Sequence, residues 1–362
     1  MIYLTPAAVA FLASFVIAVL IVATEKLHGY LSHDHDPGVQ KLHQKPVPRI
    51  GGLSLVIGFV AGGLALVPDA FHLWLLTCVA AVPALGSGLI EDITKRVSAK
   101  WRLLATLCAG LIFIALTGYY IDHTDVLGLD WMLAYKWFAI PFTVIVIAGV
   151  ANAFNIIDGV NGLSSGTALI ILTGFAAVAA LEGDATILSL CLVSIGALSG
   201  FFLLNFPFGK IFLGDGGAYM TGFLLVVIAL MLPLRNSELS PLIGIMALSY
   251  PIIEMLVSIR RRMVRRNAHP GKPDRLHLHS LVYRGHARRI AAQAAPLEKL
   301  RNPITAALVW PLPCIAVCLM LVSRTNSAGI LVSLAIVFIL YILTYRRVAL
   351  MRRAAGRRQT AA

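Results

Sequence analysis

Long apolar runs alternate with short polar stretches from one end of the chain to the other. Eleven runs stand out, near 4–24, 51–68, 71–90, 103–119, 136–153, 165–181, 185–204, 217–234, 240–258, 304–322 and 328–345. Their ends are fixed to within about four residues. Most approach the roughly 20 residues that a helix needs to cross a hydrocarbon core of about 30 Å. None shows the two-residue alternation of a membrane β-strand. Backbone polar groups in lipid must be paired within their own segment, so each run is predicted to be a helix. The expected fold is an all-α polytopic integral membrane protein of about eleven transmembrane helices. It reads as a single membrane domain over 1–362, with a large cytoplasmic loop at 259–303 and a basic cytoplasmic tail at 346–362.

Composition agrees with this pattern. Hydrophobic residues make up 59% and charged residues 13%, too few charges to cover the surface of a water-soluble chain of 362 residues. The net charge of +13 invites a nucleic-acid reading, but the distribution of the charge argues otherwise. Of the 30 lysines and arginines, 27 fall on one alternate set of connections, leaving only Lys136, Arg235 and Arg324 on the other. By the positive-inside rule the C-terminus is cytoplasmic and, with eleven spans, the N-terminus periplasmic. The arginine-rich loop lacks the interleaved aromatic residues of a base-stacking surface, so no nucleic-acid partner is expected. Cys78, Cys108, Cys191, Cys314 and Cys318 all lie in apolar stretches without a CxxC pair, and read as buried thiols rather than a disulfide frame or zinc site. The first run lacks a basic leader and reads as a retained span rather than a cleaved signal peptide.

The cytoplasmic connections carry the unusual residues. DPGVQKLHQKPVPRIGG, residues 36–52, places Lys41, His43, Lys45 and Arg49 before the second run. Juxtamembrane charge that holds anionic headgroups is the ordinary explanation; Pro46, Pro48 and the Gly51–Gly52 pair argue for a shaped loop instead. GLIEDITKRVSAKWR, residues 88–102, ends a span with adjacent Glu91 and Asp92, followed by Lys95 and Arg96. Like charges so close are costly unless they share a cation, and Mg²⁺ takes oxygen ligands of this type together with substrate phosphates. NAFNIIDGVNGLSSG, residues 152–166, spaces Asn152, Asn155 and Asp158 at i, i+3 and i+6, one face of a helix end. FGKIFLGDGGAYMTG, residues 208–222, sets Asp215 among glycines, a weak signal alone. In the 259–303 loop, Asp274, Arg275, His277 and His279 form a polar knot. His-x-His can bind a transition metal, but no third or fourth ligand stands nearby, so phosphate or ribose contacts are the better reading. Carboxylates for Mg²⁺ and basic groups for a diphosphate, in a membrane frame, imply phosphoryl transfer between a soluble nucleotide and a lipid.

In this order, the four motifs resemble those of the polyprenyl-phosphate N-acetylhexosamine-1-phosphate transferases, over about Asp36 to Arg284. The superfamily includes the enzymes that begin O-antigen and common-antigen synthesis, and the peptidoglycan translocase. The resemblance implies transfer of a sugar 1-phosphate from a UDP-sugar to undecaprenyl phosphate, with release of UMP, at the cytoplasmic face of a bacterial inner membrane. The cofactor it implies is Mg²⁺, or Mn²⁺ in its place. Glu91 and Asp92 fall where the family shows an Asp-Asp pair, and Asp158 matches the acidic residue of Asn-x-x-Asn-x-x-Asp-Gly. Asp215 matches the Gly-Asp metal ligand, His277 and His279 the histidine motif, and Lys41 and His43 the basic pair of the first loop. On this basis Asp92, Glu91 and Asp158 are candidate catalytic residues and Asp215 the metal ligand. Lys41, His43, Lys95, Asn152, Asn155, Asp274, Arg275, His277 and His279 are candidate substrate contacts. Three departures stand out: Glu91 for Asp, Ser280 for a histidine, and Gly217 for a serine. Ser280 argues against the peptidoglycan translocase branch. The donor candidates are UDP-N-acetylglucosamine and UDP-linked 6-deoxy-N-acetylhexosamines, and a homodimer is compatible with the pattern. A transporter or lipid flippase is the competing class, but such proteins place ionisable residues near the bilayer midplane; here only Glu254 is a candidate for that position.

Overall fold

The computed structural model of the protein describes residues 3–32, 47–264, 276–293 and 300–359. Lys41, His43, Asp274 and Arg275 lie outside the described residues. Nine helices among the described residues are long and apolar enough to cross a membrane. They are α1 (Leu4–Ala23), α4 (Pro68–Thr94), α5 (Ala99–Thr117), α7 (Lys136–Ile157), α8 (Leu163–Leu181), α9 (Ala185–Asn205), α10 (Gly214–Arg235), the pair α15 (Arg301–Val309) and α16 (Pro311–Ser323) counted together, and α17 (Ser327–Gln359) to Leu350.

Two of the eleven expected runs take another form. The 51–68 run holds only the 12-residue α3 (Gly52–Gly63). The 240–258 run is broken at Leu248 into α11 (Ile243–Ala247) and α12 (Ser249–Val264). Short helices α2 (Glu25–Ser32) and α6 (Leu129–Leu133) complete the first half. Beyond α12 come α13 (Leu278–Val282), a π-helical turn at Tyr283–Ala287 and α14 (Arg288–Ala291).

The bundle is organised around α10. Every residue from Gly214 to Leu232 is buried, as suits a helix apolar on all sides. It packs against α4, α7, α8, α3 and α9, while α1 packs against α9 and α3 at the side. At one end of α10, Arg235 donates to Asp184 through Nε (2.7 Å) and Nη2 (3.1 Å). Asp184 also caps α9 by accepting the Ile187 N–H at 3.0 Å. These hydrogen bonds hold the Asp184 carboxyl below its usual range, despite its partial burial. The candidate chemistry lies at the other end.

The cysteines correct one expectation. All five are free, but only Cys191 is buried, while Cys108, Cys314 and Cys318 are exposed. An apolar thiol on a spanning helix is as well placed against lipid as against a core.

Candidate active site

The site forms where α4 and α7 end and α5, α8 and α10 begin. Residues 47–52 run alongside the approach to α10: Phe212 N–H donates to Pro48 O (2.9 Å), Gly51 N–H to Phe212 O (2.9 Å) and Gly52 N–H to Leu213 O (2.8 Å). Gly214 has φ +74°, and a Cβ there would strike the Arg49 carbonyl and the Asp92 carboxylate; only glycine satisfies both the conformation and the space. Gly88 of α4 lies directly on the backbone of Gly216. Gly217 faces Gly52 just as closely, which supplies a reason for glycine in place of the serine noted above.

Close packing delivers Asp92 to the start of α10. Its side chain is fully buried, and its two oxygens accept the backbone N–H groups of Asp215 and Gly216, each at 2.9 Å. The first N–H groups of a helix have no partner within it; here a carboxylate from another helix supplies one. Glu91 turns elsewhere and accepts the Val97 N–H at 2.7 Å, shaping the connection to α5. The adjacent carboxylates therefore do not converge on one cation, because each finds backbone donors in a different segment. Lys95 is exposed just beyond α4, with left-handed backbone (φ 56°).

Asp215 forms an ion pair with Arg102, at the start of α5, and a second with Arg49 at 3.5 Å. Neither arginine was singled out as a site residue by the sequence, where both merged with the juxtamembrane charge. The available signal was that Arg102 closes the same polar segment that holds Glu91 and Asp92. Asp158 follows the last residue of α7 and has no hydrogen-bond or ion-pair partner among the described residues. Burial pushes its carboxyl up to about 7; the Asp92 charge adds to the rise and the Arg49 charge opposes it.

Asn152 and Asn155 do not share one direction with Asp158. Asn152 donates to Thr106 Oγ1 of α5 (3.1 Å) and to Ala148 O (2.8 Å), and Asn155 donates to the Tyr219 hydroxyl of α10 (2.9 Å). Both side-chain amides join helices, a recurrent use of polar side chains within a membrane. His277 and His279 are 5% and 4% exposed, and their rings stack with centroids 5.5 Å apart. His279 abuts Gly159, where a Cβ would collide with the ring. Burial, with the charge of Arg284, lowers the His279 pKa to about 4, so this ring is neutral at neutral pH. The pair therefore stands behind the Asp158–Gly159 turn.

The donor set suits Mg²⁺. It is built of carboxylate oxygens, Asp215 draws two guanidinium groups, and Asp158 is available. Among the described residues no three His, Cys, Asp or Glu side chains are grouped closely enough to hold an ion alone.

Residues 74–233, which span α4 to α10, match the family model described as glycosyl transferase family 4. The chain is 35% identical over 245 residues to a Bacillus subtilis protein named a probable undecaprenyl-phosphate N-acetylglucosaminyl 1-phosphate transferase, covering 67% of each chain. The chain belongs to this family. It is also 26% identical over 254 residues to the undecaprenyl-phosphate alpha-N-acetylglucosaminyl 1-phosphate transferase of Yersinia pestis. With the protein of that name from Escherichia coli K12 it shares 25% identity over 255 residues, and each of these two comparisons covers 68% of both chains. Glu91, Asp92, Arg102, Asp158 and Asp215 lie inside the family match, whereas Arg49 and the histidine pair lie outside it.

Away from these residues, an apolar cavity of about 480 Å³ opens between α7, α10, α11, α12 and α17, with Ile145, Val150, Leu230, Leu248, Met255 and Leu334 in its walls. The break at Leu248 helps to make room for it.

Proposed function

We propose that the protein transfers a sugar 1-phosphate from a UDP-sugar to undecaprenyl phosphate, releasing UMP and starting a lipid-linked glycan. The observation that carries this reading is the meeting of Asp215, Asp158, Arg49 and Arg102 at one end of the bundle. In the sequence, 27 of the 30 lysines and arginines fall on the alternate set of connections to which these residues belong, so by the positive-inside rule the site would face the cytoplasm of a bacterial inner membrane. If α3 and the α11–α12 pair are counted as spans, the chain crosses eleven times, with the N-terminus outside.

In the reaction, an oxygen of the lipid phosphate attacks the phosphorus that carries the sugar. A new P–O–P linkage forms, the bond to the uridine-bearing phosphate breaks, and UMP leaves with that electron pair. Arg49 and Arg102 can turn from Asp215 to the diphosphate, where guanidinium groups bind phosphate oxygens in pairs. Mg²⁺, held by Asp215 and Asp158, would neutralise charge on the diphosphate. Asp92 holds the first turn of α10, and with it Asp215, in place. A phosphate monoester has its second pKa near about 6, so the acceptor is largely ionised without a dedicated base. The apolar cavity offers space for isoprenoid units of the acceptor. The transporter reading loses its one candidate midplane carboxylate, because Glu254 is bonded to His277 and Leu278 of the histidine segment.

The test is UMP release by purified protein given undecaprenyl phosphate, Mg²⁺ and one UDP-sugar at a time, beginning with UDP-N-acetylglucosamine and a 6-deoxy relative. UMP that appears only with lipid phosphate, metal and one donor supports the assignment and names the sugar. Folded protein that releases no UMP with any donor overturns it.

A further inference from the structure

The reaction outlined above leaves one buried carboxylate without a task. Glu254 of α12 is 0% exposed, and a carboxylate so placed is costly unless donors surround it. Donors do surround it. Oε1 lies 3.0 Å from His277 Nδ1 and 3.2 Å from the Leu278 N–H, and Oε2 accepts the Leu278 N–H at 3.3 Å and the Tyr341 hydroxyl at 2.8 Å. Leu278 opens α13, so Glu254 places negative charge on a helix start, where the exposed N–H groups favour it.

The contacts continue towards the site. The His277 ring lies 4° from parallel to that of His279, and His279 is pressed on Gly159, next to Asp158. Tyr341, Glu254, His277, His279 and Gly159 thus form one line of contact from the last helix to the turn that carries Asp158. A carboxylate already receiving a backbone N–H and a phenol O–H acts as an acceptor, which requires the proton of neutral His277 to sit on Nδ1. Among the described residues, Glu254 from α12 and Arg284 from the π-helical turn act on His279, while Tyr341 from α17 and Tyr250 from α12 act on Glu254.

We propose that Glu254 is a positioning residue for the transfer reaction: it fixes the Nδ1-protonated form of His277 and, through the stacked His277–His279 pair, sets the turn that presents Asp158. The inference rests on the transfer reading, but its first test does not require turnover. In ¹⁵N spectra of histidine-labelled wild-type protein, with His277 assigned by its loss in His277→Asn, neutral His277 carries its proton on Nδ1. Glu254→Leu leaves Nδ1 without an acceptor and lets the proton move to Nε2.

In the UMP assay Glu254→Leu lowers kcat by about 10–100-fold while KM for the UDP-sugar stays within about threefold, as found when the partner that orients a functional histidine is removed. On the His277→Asn background the same substitution costs less than about a further twofold, because its effect passes through His277. A wild-type His277 protonated on Nε2 overturns the proposal, and this arm remains decisive if Glu254→Leu does not fold. Wild-type kcat in Glu254→Leu, or a loss undiminished on the His277→Asn background, overturns it equally and leaves Glu254 as an anchor for α13 alone. Failure of the transfer reading is distinguishable, since wild-type protein would then release no UMP whatever the state of His277.

Discussion

Asp92 holds Asp215 through the backbone: its carboxylate accepts the Asp215 N–H at 2.9 Å and the neighbouring Gly216 N–H at 2.9 Å. Both oxygens are therefore occupied by helix donors, so the residue is better suited to fixing the start of α10 than to taking a proton from a substrate. Asp92→Asn keeps one acceptor and sets an NH₂ group against the other N–H. The loss of stability should be about 1–3 kcal/mol, the cost of an unsatisfied buried donor, read as a lower melting temperature in detergent. Turnover should fall by about 100-fold or more and stay low as pH rises, because the damage is to geometry. Recovery at high pH would instead identify Asp92 as a base.

Asp158 supplies a pH dependence. Its carboxyl titrates near 7, so it is mostly neutral below that pH and anionic above it. UMP release should rise with pH through this range, and added Mg²⁺ should move the midpoint lower as metal and proton compete for the same oxygens. Asp158→Asn should remove that limb and lower turnover by about 100-fold. The stability effect has the opposite sign. A folded pKa above the unfolded value of about 3.9 means that stability is full at low pH and is lost as pH rises through 7. The Asn variant should therefore melt higher than wild type at alkaline pH, a combination that separates a functional carboxylate from a structural one.

The ion pairs of Asp215 with Arg102 and Arg49 predict a graded set of losses. Asp215→Asn should lower turnover by about 100-fold or more, because a charge at the reacting phosphates is removed. Arg102→Ala should act mainly on KM for the UDP-sugar, and Arg102→Lys should rescue it only in part, since an ammonium lacks the two-pronged geometry. Asp125 lies on the connection before α6 and accepts a hydrogen bond from Ser327 at 2.5 Å. Asp125→Asn should leave UMP release unchanged. Near-normal activity in Asp215→Asn would remove it from the site.

Hydropathy made the multi-pass helical fold legible, because crossing a bilayer imposes length and apolarity on each segment independently of its neighbours. It could not resolve the break at Leu248, where α11 and α12 are each apolar enough to extend one run. The motif residues were legible as polar groups at the ends of runs, but their directions were not. Glu91 and Asp92 look equivalent in sequence; one accepts from Val97 and the other from α10, a distinction set by which backbone each carboxylate reaches. Asn152 and Asn155 follow the spacing of one helical face, yet they bond to α5 and α10 respectively. Arg102 was hidden because a basic residue beside a membrane usually serves the headgroups, and only its proximity to Asp215 in three dimensions separates it from Arg96 and Lys100. Glu254 was visible as an acidic residue in an apolar run, but nothing in its neighbourhood of sequence pointed to a histidine 23 residues later.

Gly88 and Gly86 lie two residues apart on α4 and differ in what they face. The site depends on α4 and α10 touching backbone to backbone, and Gly88 is the contact: a Cβ there would overlap the main chain of Gly216, next to the N–H groups that Asp92 receives. Neither partner is a flexible side chain that can move aside. Gly88→Ala should therefore separate the helices, cost about 3 kcal/mol or more, and abolish UMP release by withdrawing Asp92 from α10. Gly86 has nothing within 4 Å of the position its Cβ would take. Gly86→Ala should be neutral or stabilising by up to about 1 kcal/mol, as for alanine in an open helical position, with turnover unchanged. Melting curves and UMP assays on the two variants side by side would distinguish a requirement for close helix contact from a general sensitivity of α4. Equal losses at both positions would overturn the contact argument.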